Sequence, residues 1–165
     1  MRMKLVSLIA ASILLAACET APSTTGSTGG AGTGSTSTAA TTPSGPTPGS
    51  QQDLVVNVGD RVFFDFNKSD LKPEARRTLE RQAAWLKQYQ NVRVAIEGHC
   101  DERGTREYNL ALGEKRATAV KEFLVANGVA ASRLKTVSYG KERPAVLGSN
   151  EAAYAQNRRG VGVIQ

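Results

Sequence analysis

Residues 20–50 contain only five residue types, and this run limits how much of the chain can fold. It consists of Thr, Ser, Gly, Ala and Pro, without a charged, aromatic or large aliphatic side chain. Such a segment cannot bury enough apolar surface to offset the conformational entropy lost on ordering. We therefore expect a disordered linker within residues 18–52, either a tether of functional length or a simple spacer, and a folded domain over residues 53–165.

The residues before the linker have the pattern of an export signal. Arg2 and Lys4 precede a short apolar stretch, and two alanines lead to Cys18. This order is typical of a signal peptide, and the stretch is shorter than the roughly 20 residues that span a bilayer. A cysteine directly after the small residues resembles the lipobox of bacterial lipoproteins; the alternative is an ordinary signal peptide with an unrelated cysteine. We predict a signal peptide over residues 1–17 and several acyl chains on Cys18. Several acyl chains anchor a protein to a membrane more firmly than one chain does.

The charge of the predicted domain narrows the choice of partner. Of the 21 basic and 15 acidic residues, two basic and one acidic residue precede position 53, so the domain carries a net charge of +5. Export excludes nucleic acid as a partner, although basic proteins often bind it. The scattered positive charge suits an anionic envelope polymer or lipid surface, or serves solubility alone. With Cys18 lipidated, Cys100 has no partner for a disulfide.

Residues 53–165 alternate between strand and helix patterns. Apolar side chains recur at every second position in the predicted strands and at every third or fourth position in the helices. Pro73 suits a first helical turn, Thr105 an N-cap, and Gly128 the position after a helix. Strands that alternate with helices predict an α/β (α+β) two-layer sandwich, with a small mixed sheet packed against helices. The predicted elements are a strand over 62–66, a helix over 71–86, a strand over 92–96, a helix over 105–127, a strand over 134–139, a helical turn over 150–156 and a strand over 159–164.

A glycine-bounded loop, GHCDERG at residues 98–104, is the part of the chain richest in polar chemistry. It follows the second predicted strand and leads directly into the second long helix. Its glycines permit a tight turn, and loops at strand ends are common ligand sites. The N-terminus of the following helix favours an anion. We therefore expect a binding site here.

Several separate motifs, in one order, resemble a known family. Together they resemble the OmpA-like peptidoglycan-binding domain, in the variant found in lipid-anchored members of the Tol–Pal system. The resemblance covers residues 60–165 and implies a βαβαβ domain preceded by the linker and lipid anchor. The motifs are FFDF at 63–66, the loop at 98–104, YN at 108–109, LGEKRA at 112–117, SYGKERP at 138–144 and NRR at 157–159.

The resemblance implies a non-catalytic site for the diaminopimelate residue of the peptidoglycan stem peptide. The far end of that residue carries an ammonium and a carboxylate. The family's ammonium-binding Asp corresponds to Asp101, and its carboxylate-binding Arg corresponds to Arg116. A guanidinium can hold a carboxylate with two parallel hydrogen bonds, which a lysine ammonium cannot do. The alternative is an ordinary salt bridge on the helix surface.

The resemblance assigns further residues to the cleft or its frame. Asp65 and the Phe residues beside it are expected to line the same cleft, and Arg158 acts either as a ligand or as a structural residue. His99 either lines the pocket or makes a structural hydrogen bond, and Cys100 is expected in the core. Gly160 and Gly162 predict close backbone packing or a weaker last strand. The assigned residues besides Asp101 and Arg116 are Asp65, Phe64, Gly98, His99, Gly104, Thr105, Tyr108, Asn109, Leu112 and Arg158.

The sequence predicts a binding protein rather than an enzyme. It contains no evident nucleophile–base pair or metal cluster, although Asp65 and Asp101 could lie near each other. A single histidine cannot form the usual zinc site, so neither a metal nor a cofactor is expected. An enzyme acting on peptidoglycan and a domain that binds only proteins are the alternatives.

The resemblance implies that the chain anchors the outer membrane to peptidoglycan, as part of the Tol–Pal system that maintains envelope integrity and acts in cell division. Its expected partners are peptidoglycan, the periplasmic protein TolB and the outer-membrane lipid reached through Cys18. Glu19 follows that cysteine, whereas lipoproteins retained in the inner membrane typically carry Asp there. The expected location is therefore the periplasmic face of the outer membrane of a Gram-negative bacterium.

Overall fold

The computed structural model describes residues 45–165, which belong to one compact unit. The predictions of a signal peptide, of a lipidated Cys18 and of most of the linker lie outside these residues. No helix in the described part of the chain combines the length and apolar character needed to cross a bilayer. The elements are α1 (Gln51–Asp53), a π-helical turn (Leu54–Val58), β1 (Arg61–Phe63), α2 (Pro73–Gln88), β2 (Val94–His99), α3 (Arg106–Ala126), a 3-10 turn (Ala131–Arg133), β3 (Leu134–Gly140), α4 (Glu151–Asn157) and β4 (Arg159–Ile164).

The four strands form one mixed sheet in the order β1-β4-β2-β3. β4 is antiparallel to both of its neighbours, whereas β2 and β3 are parallel. Parallel neighbours need a crossover connection, and α3 provides it between β2 and β3. The register of β2 on β3 shifts at Gly98, so that His99 lies opposite Gly140. The predicted mixed sheet packed against helices is confirmed.

The core lies between one face of the sheet and the long helices. Val94 and Ile96 alternate along β2 and both face this core. The apolar positions predicted for the first helix are buried in α2, and α3 contributes a matching row. Because this core is closed by described residues alone, we expect residues 45–165 to fold as a fragment. The helical core residues are Ala75, Leu79, Ala83, Trp85, Leu86, Ala117, Val120 and Leu124.

Glycines allow α3 and the sheet to approach closely beside the loop of residues 98–104. A side chain on Gly98 would overlap the backbone carbonyl of Gly113 in α3. A Cβ on Gly160 in β4 would lie 3.3 Å from Val120 and 3.4 Å from Phe64. The backbone of β4 thus lies close to these two side chains at Gly160, which leaves the prediction of a weaker last strand untested. This contact brings α3 close to the carboxyl end of β2.

The first strand is shorter than predicted, because it ends at Phe63 rather than at Phe66. The amide of Phe64 still donates to the carbonyl of Arg158 at 2.9 Å, in register with β4, but the amide of Arg158 donates to the carbonyl of Tyr154 at 3.0 Å and returns no bond to Phe64. Asn67 then takes a left-handed conformation, with φ of 57°. Residues after Phe63 therefore form a loop that turns towards α3.

The segment Gln51–Val58 is helical, although the sequence pattern predicts no element there. Its contacts are distant in sequence, which explains why local patterns do not indicate them. Asp53 accepts a hydrogen bond from Trp85 Nε1 at 2.9 Å. The Gln51 side chain donates to the carbonyl of Gly162 at 3.2 Å and accepts from the amide of Ile164 at 2.8 Å. This segment is thus attached to α2 and to the last residues of β4.

Candidate functional site

A cavity of about 180 Å³ lies where β2 ends and α3 begins. The chain reaches it from three places: the loop after β1, the loop of residues 98–104 and the first turns of α3. Seven of the residues predicted for the site line it, namely Phe66, Asp101, Gly104, Tyr108, Asn109, Leu112 and Arg116. The remaining lining residues are Asn67, Cys100 and Arg103.

Asp101 provides a buried carboxylate at the cavity, with 4% of its surface exposed. Its Oδ1 accepts from the backbone amide of Arg103 at 3.2 Å, and its Oδ2 accepts from Arg103 Nη2 at 2.5 Å. Arg158 Nη1 lies behind it, 3.3 Å from Oδ2. Burial opposes ionisation of Asp101, but the hydrogen bonds from Arg103 and Arg158 outweigh it, so the pKa lies below its ordinary value. The carboxylate is therefore charged at neutral pH.

Arg116 provides a fully buried guanidinium on α3. Its Nε donates to the carbonyl of Lys68 at 2.9 Å, Nη1 to that of His99 at 2.8 Å, and Nη2 to that of Asp65 at 3.1 Å. Burial lowers the pKa of Arg116 below its ordinary value, although an arginine remains charged. A guanidinium has five N–H groups, so two are not used by these three carbonyls.

The start of α3 is held by a cap and by an asparagine. Thr105 Oγ1 accepts from the amide of Tyr108 at 3.2 Å, as predicted for an N-cap. Asn109 is buried and donates through Nδ2 to the carbonyls of Arg103 and Thr105, at 2.8 and 3.0 Å. Gly104 has φ of 92°, which favours glycine at this turn. The loop backbone is therefore fixed whether or not a ligand is bound.

The rim of the cavity is aromatic and exposed. Phe66 and Tyr108 are 56% and 51% exposed, although large apolar side chains are usually buried. The Tyr108 hydroxyl donates to Asn67 Oδ1 and joins α3 to the loop after β1. The rim thus offers two flat apolar faces beside the buried charges.

Three predicted residues support the site without lining the cavity. The Asp65 carboxylate points to Lys72, with 2.9 Å between Oδ1 and Nζ, while its carbonyl accepts from Arg116. Phe64 is a core residue whose ring centre lies 5.2 Å from the Arg116 guanidinium carbon. Gly98 provides the close approach of β2 to α3. Asp65 and Asp101 therefore do not form a facing pair of carboxylates.

Arg158 lies behind the cavity and joins three parts of the chain. Its Nε donates to the carbonyl of Phe64 at 3.1 Å, and its Nη2 donates to Glu151 Oε1 at 2.7 Å. With the contact to Asp101, these hydrogen bonds use all of its nitrogens. Arg158 therefore braces the Asp101 carboxylate from inside the protein.

The ring of His99 lies on the sheet face opposite the helices. It stacks on Tyr139 with 5.5 Å between ring centres, and its Nε2 lies 3.4 Å from Glu97 Oε2. Burial, and then the positive charge of Arg159, lower the pKa of His99 to about 4. Only its backbone carbonyl reaches the site, where it accepts from Arg116.

Two cavity residues, Asn67 and Arg103, are absent from the sequence prediction, and Cys100 was assigned to the core. Cys100 is buried at the cavity wall, where its Sγ donates to the carbonyl of Asn109 at 3.3 Å and burial raises its pKa. The Arg103 guanidinium lies between two rings, 4.0 Å from the centre of Phe66 and 4.4 Å from that of Tyr154. The position of Arg103, two residues after Asp101 in the same loop, is the sequence feature that indicates a contact between the two side chains.

Within residues 45–165, no three His, Cys, Asp or Glu side chains lie close enough together to hold a metal ion. The cavity instead combines one carboxylate, one guanidinium and an aromatic rim. Such a site is chemically suited to a ligand that carries both an ammonium and a carboxylate.

Comparisons with known proteins agree on one family. The pattern of the OmpA family matches residues 63–158. The chain is 56% identical over 118 residues to the peptidoglycan-associated lipoprotein of Agrobacterium fabrum, covering 72% of this chain and 67% of that protein. It is 57% identical over 118 residues to the protein of the same name from Mesorhizobium japonicum, covering 72% and 70%.

Solved structures share the fold. The peptidoglycan-associated lipoprotein from Burkholderia pseudomallei is similar with a TM-score of 0.63 and 44% identity, over 64% of this chain and 90% of that chain. The C-terminal domain of Helicobacter pylori MotB gives a TM-score of 0.61 at 20% identity, over 64% and 84%. The second likeness is one of fold alone.

Proposed function

Because this chain belongs to the OmpA family, we propose that it anchors the outer membrane to peptidoglycan without a covalent bond to the wall. The matched relatives are lipoproteins named for their association with peptidoglycan. OmpA-like domains are peptidoglycan-binding proteins and not enzymes, so the proposed activity is binding. The proposed ligand is the far end of the diaminopimelate residue in a stem peptide.

The observation that carries this proposal is the pairing of Asp101 and Arg116 at one cavity. The ammonium of diaminopimelate would bind Asp101, and its carboxylate would bind the two N–H groups that Arg116 has left. The N-terminus of α3 adds a favourable dipole for the carboxylate. Hydrogen bonds between charged groups are stronger than those between neutral groups. The contacts of Asp101 and Arg116 with the ligand would therefore contribute most of the affinity.

The size of the cavity agrees with a side-chain terminus rather than a sugar chain. Its volume of about 180 Å³ is below the roughly 300–1,000 Å³ of pockets that hold drug-sized ligands. The glycan strand and the rest of the peptide would remain outside, where Phe66 and Tyr108 offer exposed apolar faces. A neutral ligand would make no charged hydrogen bond to Asp101 or Arg116, so it should bind more weakly than one with an ammonium and a carboxylate.

The position of the N-terminal segment also supports an anchoring role. Gln51 bonds to Gly162 and Ile164, and Ile164 lies opposite Val94 at the start of β2. The cavity follows His99 at the other end of that strand. A strand of six residues extends roughly 17 Å at about 3.3 Å per step. Tension between a membrane-bound N-terminus and a wall ligand would therefore run along the sheet.

Co-sedimentation of residues 45–165 with purified peptidoglycan tests the proposal. Asp101→Asn should weaken retention by about tenfold or more, since a hydrogen bond to a charged group contributes about 1.5–3 kcal/mol. Asp70→Asn is the matched control, because Asp70 is exposed and lies outside the cavity. Both variants must first show cooperative unfolding in urea. Equal retention of the wild type and a folded Asp101→Asn variant would refute the proposed site.

We further propose that Cys18 carries the lipid.

We also propose that TolB binds a surface that overlaps the cavity rim. The exposed rings of Phe66 and Tyr108 support binding of a protein there, because aromatic side chains are enriched at protein interfaces. A soluble stem peptide containing diaminopimelate should then compete with TolB for the domain. Binding of TolB at full affinity to the peptide-saturated domain would count against a shared surface.

A further inference from the structure

The carboxylate of Asp101 is already fully occupied by cations of the protein itself. Its Oδ1 accepts from the Arg103 amide and from Arg103 Nε, at 3.2 and 3.3 Å. Its Oδ2 accepts from Arg103 Nη2 at 2.5 Å and from Arg158 Nη1 at 3.3 Å. A carboxylate offers about four lone-pair positions. A ligand ammonium can therefore reach Asp101 only if one of these donors leaves.

Arg103 is the donor that can leave at the lower cost. Arg158 is buried, and its other nitrogens bond to Phe64 and Glu151. The Arg103 side chain is 35% exposed and lies at the surface between two rings. The backbone of Arg103 stays fixed, because Asn109 donates to its carbonyl at 2.8 Å. Its side chain can move without any movement of the loop.

A second acceptor for the displaced guanidinium is close by. Arg103 Nη1 lies 3.7 Å from Glu151 Oε2, and the Glu151 side chain is 66% exposed. The ring of Tyr154 lies 4.4 Å from the Arg103 guanidinium carbon, so a small rotation towards Glu151 keeps a contact between cation and ring. The exchange replaces one cation at Asp101 by another, and no charge is left buried and unpaired.

We propose that Arg103 occupies the ammonium position of the site when no ligand is bound, and that the ligand ammonium displaces it towards Glu151. This inference rests on the proposed function, since it concerns the same cavity and ligand. Arg103 lowers the apparent affinity, because only the fraction of molecules with a free Asp101 can bind the ammonium. It acts as a competitor inside the protein and not as a contact for the ligand.

This mechanism makes the effect of Arg103 depend on the chemistry of the ligand. A ligand with a carboxylate and an ammonium must displace Arg103 to use both charges. A ligand with the carboxylate alone can bind Arg116 while Arg103 stays on Asp101. Removal of Arg103 should therefore favour the first ligand and leave the second unchanged.

Calorimetric titration of residues 45–165 with two soluble stem peptides tests the inference. One peptide ends in meso-diaminopimelate, and the other carries 2-aminopimelate, which keeps the far carboxylate but lacks the far ammonium. Arg103→Gln should bind the first peptide about twofold to fivefold more tightly, the range expected for loss of a partly exposed ion pair. Its affinity for the second peptide should equal that of the wild type. Arg103→Lys keeps a cation but loses the contact through two nitrogens, so its affinity for the first peptide should lie between those of the wild type and Arg103→Gln, and its affinity for the second should equal that of the wild type.

Arg106→Gln is the matched control, because Arg106 is an exposed arginine at the start of α3 whose Nε lies 3.4 Å from Glu142. It removes the same charge from the same region and should change neither affinity. Weaker or unchanged binding of the diaminopimelate peptide by folded Arg103→Gln would overturn the inference while leaving the proposed function standing. Equal gains for both peptides would also overturn it, because a general charge effect would then suffice. Failure of the wild type and Arg103→Gln to bind either peptide would overturn the proposed function and the inference together.

Discussion

Replacing Arg116 by methionine should destabilise the domain by several kcal/mol, independently of any ligand. The guanidinium holds the carbonyls of Lys68, His99 and Asp65, with donor–acceptor distances of 2.8 to 3.1 Å. Methionine fills part of the same space but removes the Arg116 donor from the carbonyls of Lys68 and His99, whereas the carbonyl of Asp65 still accepts from the amide of Lys68 at 3.2 Å. Each buried unsatisfied group costs about 1–3 kcal/mol, and relaxation or water reduces the sum, so we expect a loss of about 3–5 kcal/mol. That is a large part of the stability of a small domain.

Urea unfolding of residues 45–165, followed by circular dichroism, measures this loss. Lys115→Met is the matched control, because Lys115 precedes Arg116 on α3 and is exposed; it should change the free energy of unfolding by less than about 0.5 kcal/mol. The free energy of unfolding of Arg116→Lys should lie between those of Arg116→Met and Lys115→Met, since an ammonium cannot donate to all three carbonyls as the planar guanidinium does. A loss below about 1 kcal/mol for Arg116→Met would refute the view that this guanidinium holds the site together.

Two further predictions concern other parts of the domain. His99 has a pKa of about 4 in the folded chain and about 6.5 in the unfolded chain. Between these two pH values the unfolded chain binds more protons than the folded one. The free energy of unfolding should therefore fall by up to about 3 kcal/mol as the pH drops from 6.5 to 4. The charged groups that face His99 are Glu97, Arg143, Arg159 and Arg61. In urea unfolding at several pH values, the free energy of unfolding of His99→Asn should fall less steeply with decreasing pH than that of the wild type. Equal pH dependence of the two proteins would contradict the lowered pKa. Gln51→Ala should speed hydrogen exchange at the Ile164 amide by up to about tenfold, since one hydrogen bond contributes about 0.5–1.5 kcal/mol, while Gln52→Ala, at an exposed position, should leave that amide unchanged.

The elements that the sequence predicts well are those whose signals are local. α2 and α3 have apolar residues at helical spacing, and α3 also has its cap at Thr105, so the predicted bounds lie within about two residues of the observed ones. The short β1 and the helical segment at Gln51 depend on partners far along the chain. Gln51, for instance, bonds to residues 111 and 113 positions away. No periodicity within a window of a few residues can indicate such contacts.

The site shows the same division between local and distant information. The glycines and charges of residues 98–104 indicate the loop from local sequence, and seven predicted residues line the cavity beside it. The hydrogen bonds of Arg116 were not predicted, because they join residues 48 and 51 positions apart. The position of His99 was left open between a cavity residue and a structural one, and its ring lies away from the cavity beside Tyr139. Side-chain partners across the fold therefore required the structure.

The residues that hold the proposed ligand and the residues that can adjust its affinity form two different groups. Arg116 and Asp101 are buried, and each bonds to other parts of the chain, so a change at either one alters the fold together with the site. Phe66 and Tyr108 are largely exposed, and the Arg103 side chain is 35% exposed; none of the three belongs to the apolar core. Exposed substitutions usually cost little stability. Affinity for the wall can therefore change through this second group while the fold is kept, and Arg103 is the member that acts directly on a buried charge.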